Sequence, residues 1–138
     1  MTRTGQQIEN DLYEFLKKSS LPGIISGNVY KYGVRPKDSV LEDAIVKFVE
    51  GSDGDIQEGT VVVNIYVPDF DPYGDGILRK DIERCQEIEV AANTWVESLG
   101  AGRSDYQFRK AQTIHTQEED EIRQHFVTVR LRYRVTTF

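Results

Sequence analysis

Three adjoining stretches decide the fold: residues 60–67 read TVVVNIYV, residues 68–76 read PDFDPYGDG, and residues 77–100 read ILRKDIERCQEIEVAANTWVESLG. In the first stretch a β-branched aliphatic residue recurs at every second position, which is the pattern of a strand with one face in a core. The other face carries Val62 and Tyr66 beside Asn64. We therefore expect a central strand that is covered on both sides.

The third stretch predicts a long amphipathic helix. Its apolar residues recur at spacings of three and four, which places them on one helical face: Leu78, Ile82, Cys85, Ile88, Ala92, Trp95 and Leu99. Asp75 or Gly76 is suited to cap the start of this helix, and Gly100 is suited to cap its end. The stretch rich in Pro, Asp and Gly is then the loop that joins the central strand to the helix.

The rest of the chain predicts one more helix and four more strands. In chain order the predicted elements are helix 6–18, strands 24–32, 40–49 and 60–67, helix 77–99, and strands 106–116 and 125–136. Because only two helices are available to cover five strands, we expect one α+β domain over residues 1–138. It should have two layers, with a mainly antiparallel five-stranded sheet, both helices on one face and the order α-β-β-β-α-β-β. The opposite sheet face would be partly wet or covered by another subunit.

Composition limits the class of protein. The 138 residues are 38% hydrophobic and 29% charged, which is typical of a folded domain of ordinary size. No apolar run approaches the roughly 18 residues of a membrane span, and the first ten residues lack the apolar core of a signal peptide, so we expect no membrane insertion or export. Cys85 is the single cysteine, which fits a reducing compartment. A net charge of −6 disfavours non-specific binding to nucleic acid.

The acidic loop is a candidate cation site. Asp69, Asp71 and Asp75 lie close together in the sequence, and hard cations prefer carboxylate ligands. The spacing does not match an EF-hand, because a loop that starts at Asp71 has Tyr73 at its third position and Ile82 at its twelfth. We interpret the carboxylates as acceptors for backbone N–H groups around a turn. A metal-dependent hydrolase that uses Asp69, Asp71 and Asp75 stays open as an alternative.

No other residue cluster has the spacing of a catalytic or metal site. No lysine stands two positions after an acidic residue, which is the pattern of one class of metal-dependent nucleases. Cys85 lies on the apolar stripe of the long helix, where we expect a buried thiol rather than a nucleophile activated by His115 or His125. The sequence thus predicts no enzyme, no bound metal and no cofactor.

The last predicted strand carries a row of arginines. Arg130, Arg132 and Arg134 share one face, with about 6.6 to 6.8 Å between neighbours. They could pair with acidic residues of adjoining strands or of another subunit, or contact nucleic acid, which the net acidity of the chain disfavours. We predict a subunit or partner interface that uses these three arginines on one surface and the three aspartates of the acidic loop on another.

The order of segments resembles that of the small tail-terminator and tail-completion proteins of long-tailed bacteriophages, and of their relatives at the head-to-tail joint. The resemblance extends over nearly the whole chain. It includes an N-terminal helix, a strand with Gly27-Asn28-Val29-Tyr30, a loop with Pro36 and Asp38, a strand from Glu42-Asp43, the apolar strand 61–67, the long helix and a closing β-hairpin. It is a likeness of fold, which implies function only by analogy.

What the resemblance implies is a structural protein of the virion. Such a protein forms a closed ring of identical subunits, here expected as a hexamer, which caps the tail tube and docks to the head connector. Its partners would be further copies of itself, a tail tube protein and a head-tail connector protein, with DNA passing through the lumen without specific binding. We expect it in the tail or neck of the virion, assembled in the bacterial host cytoplasm. A small adaptor that binds a cellular protein is a further alternative.

Overall fold

A computed structural model gives the structure of residues 1–100 and 105–137. The helices are α1 (Gly5–Lys17) and α2 (Ile82–Leu99). The strands are β1 (Val29–Lys31), β2 (Ala44–Ser52), β3 (Ile56–Pro68), β4 (Tyr106–Lys110), β5 (His115–Glu119) and β6 (Gln124–Thr136). Short 3₁₀ turns occur at Leu21–Gly23 and Asp120–Ile122. The predicted α+β class is confirmed.

The sheet has six strands and is mixed, so the prediction of five mainly antiparallel strands was wrong in detail. The strand order is β1-β2-β3-β6-β4, with β5 also paired to β6. β1 runs parallel to β2, whereas the other pairs are antiparallel. The predicted strand 106–116 is two strands, because β6 is long enough to pair with β4 along one half and with β5 along the other. The predicted strand 24–32 is reduced to β1.

The pairing of β3 with β6 forms the centre of the sheet. All thirteen residues of β3 have a partner in β6, from Ile56 opposite Thr136 to Pro68 opposite Gln124. On one side of this pair the side chains are buried and apolar: Val61, Val63, Ile65, Val67, Val127, Val129, Leu131, Tyr133 and Val135. The other side carries Thr60, Val62 and the row of arginines. The predicted alternation along β6 is confirmed.

Both helices pack on the apolar side of the sheet. Ile8, Leu12 and Leu16 of α1 belong to the same core cluster as the inward side chains of the strands, together with Ile88 and Trp95 of α2. The capping box at Thr4 fixes the start of α1, since the Thr4 side chain accepts from Gln7 N and the Gln7 side chain accepts from Thr4 N.

Two polar contacts hold α2 above the edge strands. Lys110 Nζ in β4 donates to Asn93 Oδ1 at 2.8 Å, and Thr116 Oγ1 in β5 donates to Glu89 Oε2 at 2.7 Å. Because both helices lie on the apolar side, the side of the sheet that bears the arginines has no helix from the described part of the chain.

The start of α2 differs from the prediction. Asp81 caps the helix, with its side chain accepting from Arg84 N, whereas we expected Asp75 or Gly76. Residues 70–79 form a small hairpin instead, closed by two backbone hydrogen bonds between Phe70 and Arg79. Gly74 and Gly76 have positive φ values of 68° and 79°, which interrupt a helix. The apolar spacing continued into this hairpin by coincidence, so the predicted core residues at 78 and 82 are exposed.

Two glycines make room for the largest buried side chain. Gly59 lies directly opposite Tyr133, and Gly51 lies opposite Gly59 on the next strand. A Cβ atom built at Gly51 would lie 2.0 Å from Tyr133 Oη. A Cβ at Gly59 would lie 2.1 Å from the backbone oxygen of Glu50. The sheet can therefore pack the Tyr133 ring over these positions only because they carry no side chain.

A buried ion pair anchors the connection between β1 and β2. Arg35 Nε donates to Asp43 Oδ2 at 2.9 Å, and Arg35 Nη2 donates to Gln124 Oε1 of β6 at 2.9 Å. The Asp43 side chain is fully buried. Burial alone would raise the pKa of this carboxyl. Hydrogen bonds from Ser39, from the backbone N–H of Asn28 and from Arg35 outweigh that effect, so the pKa of Asp43 is lowered.

Replacing Gly59 by alanine should destabilise the protein severely. The new methyl group would collide with the Glu50 backbone, which cannot move without separating β2 from β3. We expect the free energy of unfolding to fall by about 3 kcal/mol or more, as measured by urea denaturation. Gly23→Ala is the matched control, because a Cβ there has no neighbour within 4 Å. Equal effects of the two substitutions would contradict this packing.

Replacing Asp43 by asparagine should cost roughly 3–5 kcal/mol of stability, because Arg35 loses its buried counter-charge. It should also change the pH dependence. A carboxyl whose pKa is lowered by folding stabilises the protein above its unfolded pKa of about 4, and this contribution is lost as the pH falls through the folded pKa. Denaturation at a series of pH values should therefore show a smaller loss of stability below about pH 4 in Asp43→Asn. The exposed Asp38→Asn is the control, and an unchanged acid profile in Asp43→Asn would refute the argument.

Candidate docking face of the sheet

The helix-free side of β2, β3, β6 and β4 forms a charged surface that we name the arginine face. It consists of Arg109, Arg130, Arg132, Arg134, Glu50 and Glu58. Their positions follow from the strand register, since each lies opposite a residue whose side chain also points away from the core. A cleft of about 330 Å³ lies along it, lined in part by Glu58, Gln107 and three of the arginines.

Two of the arginines have acidic partners within the chain. Arg134 Nε lies 3.2 Å from Glu58 Oε1, which is its direct cross-strand neighbour. Arg132 Nη1 donates to Thr60 Oγ1 at 2.8 Å and lies 3.5 Å from Glu50 Oε1. These pairs are at least one-third exposed, so water screens them and each contributes little to stability. Their role is to orient the guanidinium groups.

The other two arginines have no such partner. Neither the Arg109 nor the Arg130 side chain forms a hydrogen bond or an ion pair with any residue in the described part of the chain. Arg109 lies directly opposite Arg132 in the antiparallel pairing of β4 and β6. Like charges directly opposite one another in a sheet are unfavourable. The arginine face thus has an excess of positive charge on a protein whose net charge is −6.

Sequence reasoning found three of these arginines and missed Arg109. The signal was present, because Gln107 and Arg109 alternate with Tyr106, Phe108 and Lys110, as on a strand with one polar face. The register between β4 and β6, which brings Arg109 beside Arg132, has no signature in the sequence.

The structure does not bring the three aspartates of the acidic loop into one site. Asp69 Oδ1 lies 2.7 Å from His125 Nδ1, where its side chain is largely buried. Asp71 accepts hydrogen bonds from the backbone N–H groups of Asp75 and Gly76, at 3.1 and 2.9 Å. Asp75 forms an ion pair with Arg79 at 3.1 Å. Each carboxylate thus has a different set of partners.

The electrostatics of Asp75 fit this role in the hairpin. Hydrogen bonds from the Arg79 side chain and from the Ile77 backbone lower the pKa of the Asp75 carboxyl. Within residues 1–100 and 105–137, no three His, Cys, Asp or Glu side chains are grouped so that they could hold a metal ion. Asp71 and Asp75 accept hydrogen bonds from backbone N–H groups around a turn, as we interpreted them from the sequence. This turn precedes α2 and does not form its first residues.

Cys85 is buried on the inner side of α2, as its place on the apolar stripe predicted. Burial raises the pKa of its thiol. His115 Nδ1 lies 2.8 Å from Thr113 O and His125 pairs with Asp69. A thiol in this setting is disfavoured as a thiolate nucleophile.

Comparison with known proteins supplies no family. No protein-family model matches the chain, and no curated protein matches it. One solved structure, whose name describes no activity, is similar at 17% sequence identity over 95% of this chain and 92% of its own, with a TM-score of 0.38. A likeness of that size identifies neither a fold family nor a function.

The fold and the site therefore define the class by themselves. Over the described residues the protein is an α+β domain with two helices and a mixed six-stranded sheet, and its candidate site is a charged sheet face. None of the described helices has the length and apolarity that a membrane span needs.

Replacing Arg109 by glutamate should stabilise the dilute protein, because it turns a cross-strand repulsion with Arg132 into an attraction. We expect a gain of about 0.2–1 kcal/mol at low salt, which high salt should reduce. Lys37→Glu is the control, since Lys37 is exposed and its reversal only increases an existing excess of negative charge. A gain of the same size in Lys37→Glu, measured by urea denaturation, would show that Arg132 is not involved.

Proposed function

We propose that this protein is a structural component of a bacteriophage virion, a tail terminator or neck protein that forms a ring on the tail tube and docks to the head connector. The observation that carries the proposal is the arginine face. It is an open sheet surface with four arginines, two of which have no partner in the described part of the chain. The resemblance in segment order supplies the biological setting.

The arginine face is suited to contact another protein. Arginine is enriched at protein interfaces, and its planar fork pairs with carboxylates in a defined geometry. The chain itself has 23 acidic residues against 17 basic ones, so a second copy offers many carboxylates. A contact between two different surfaces of identical subunits can close into a ring. Self-association is therefore the simplest use of this face.

The proposed partners follow from the same setting. One ring surface would contact the tail tube protein and the other the head-tail connector protein, with the ring expected as a hexamer. DNA would pass through the lumen without specific binding, because the net negative charge of the protein disfavours attraction to phosphate. The protein would be assembled in the bacterial host cytoplasm and remain in the tail or neck.

The two alternatives receive different support from the geometry. A metal-dependent hydrolase at Asp69, Asp71 and Asp75 is disfavoured, because those carboxylates bind His125, backbone N–H groups and Arg79. A small adaptor would use the arginine face to bind an acidic cellular protein, and that face would serve equally well for it. Ring formation is the property that distinguishes the structural function from the adaptor function.

The test is negative-stain electron microscopy of the purified protein over a concentration series, with and without Mg²⁺, together with the mass from light scattering. We expect closed rings of uniform diameter and a mass that is an integral multiple of 15.8 kDa. A mass of one subunit at every concentration, with no rings, would contradict self-assembly and favour the adaptor. The Mg²⁺ series also detects assembly that a bound cation assists.

A further inference from the structure

The outward surface of α2 is acidic. The helix contains four glutamates and one arginine. The arginine, Arg84, has acidic partners within the subunit, because it forms ion pairs with Glu42 at 2.6 Å and with Glu87 at 2.8 Å. Glu83 and Glu97 are exposed and form no ion pair with a described residue. The helix therefore presents negative charge that is not neutralised within the described part of the subunit.

These charges stand in one line with an apolar residue between them. Glu83, Val90 and Glu97 are seven residues apart, which is close to two helical turns, so they align along one side of α2. The spacing between successive members is about 10.5 Å. Val90 is 61% exposed. An exposed aliphatic side chain between two carboxylates is well suited to contact the aliphatic stems of arginine side chains, which carry their charge at the far end.

The acidic line of α2 and the arginine face lie on opposite sides of the same part of the sheet. α2 lies over β4 and β5, to which Asn93 and Glu89 bind. The arginines of β6 and β4 project from the opposite side of those strands. The subunit is therefore polarised through its thickness, with carboxylates outside the helix layer and guanidinium groups outside the sheet.

We propose that the arginine face of one subunit docks on the Glu83, Val90 and Glu97 line of α2 in the next subunit. The inference rests on the proposed function, since it names the two surfaces that build the ring. A copy that contacts the helix-free side of the sheet, and is related to its neighbour by the rotation that closes a ring, brings the unpaired Arg109 and Arg130 over the carboxylates of that neighbour. Each subunit contributes a different surface to each of its two contacts, which is the arrangement that a ring requires.

Charge complementarity favours α2 of a second subunit over nucleic acid as the partner of the arginine face. Glu50 and Glu58 lie within the arginine face and would repel phosphate. Carboxylates spread along a helix can pair with Arg109 and Arg130, while Glu50 and Glu58 keep their existing partners. A duplex oligonucleotide is therefore the competing ligand that the experiment includes.

The experiment uses two variants of the full chain with complementary charge reversals. The first, Arg109→Glu with Arg130→Glu, has two acidic surfaces, and the second, Glu83→Lys with Glu97→Lys, has two basic surfaces. None of the four residues takes part in an ion pair within the described residues, so both variants should fold, as circular dichroism would verify. Lys18→Glu with Lys37→Glu is the control for a change of net charge, because both lysines are exposed.

We expect each variant alone to assemble only at concentrations roughly tenfold to a hundredfold above those of the unmodified protein and the control. An equimolar mixture should assemble nearly as well as the unmodified protein, because the acidic face of the first variant meets the basic helix of the second and the reverse contact is also attractive. The readouts are the mass from light scattering and the rings seen by electron microscopy.

Three results would overturn the inference. If both variants form rings as well as the unmodified protein does, these surfaces do not belong to the interface. If the mixture of the two variants stays unassembled, the two surfaces are not each other's partners. A first variant that assembles normally but loses binding to a duplex oligonucleotide, measured by fluorescence anisotropy, would assign the arginine face to nucleic acid. In all three cases the unmodified protein still forms rings. If the proposed function itself is wrong, the unmodified protein never forms rings.

Discussion

The register between β3 and β6 is the constraint on which the rest of the structure depends. These strands pair over thirteen residues, and between residues 127 and 135 of β6 buried apolar and aromatic side chains alternate with Thr128 and the three arginines. Because side chains in a strand alternate between the two faces, a slip of one residue would bring Arg130, Arg132 and Arg134 into the core. The cost of burying unpaired guanidinium groups excludes that arrangement. The core and the arginine face are therefore two results of one pairing.

Other interactions hold the surrounding elements to this central pair. The Arg35–Asp43 pair joins the β1–β2 connection to β6 through Gln124, and the Arg84–Glu42 pair joins α2 to the residue that precedes Asp43. The Glu9 carboxylate accepts from Phe48 N, next to the bulge in β2. Glu9 and Arg84 thus anchor the helices within the subunit, and Arg35, whose guanidinium carbon lies 4.2 Å from the centre of the Tyr66 ring, anchors the β1–β2 connection on the other side of the sheet. On the open side of the sheet Arg109 and Arg130 anchor nothing in the described chain, which is why that side is the candidate for contacts between subunits.

The sequence predicted those elements that a hydrophobic period specifies. The α1 helix, the body of α2, the strands β2 and β3 and the two faces of β6 follow from spacings of two or of three and four, and all are present. Three of the four differences depend on contacts between distant residues. The parallel pairing of β1, the division of 106–116 into β4 and β5, and the position of Arg109 opposite Arg132 come from long-range pairing. The start of α2 failed for a local reason, because the hairpin at 70–79 continues the apolar spacing of the helix while its glycines exclude helical geometry.

The central claim is that the helix-free sheet face is a contact between subunits rather than a free surface. Electron cryo-microscopy of the assembled protein tests it most directly, because it shows what covers each face. The account predicts that the guanidinium groups of Arg109 and Arg130 lie within about 4 Å of carboxylates on α2 of the adjoining subunit. An assembly in which the arginine face is open to solvent, or in which it lines the lumen, would contradict the account.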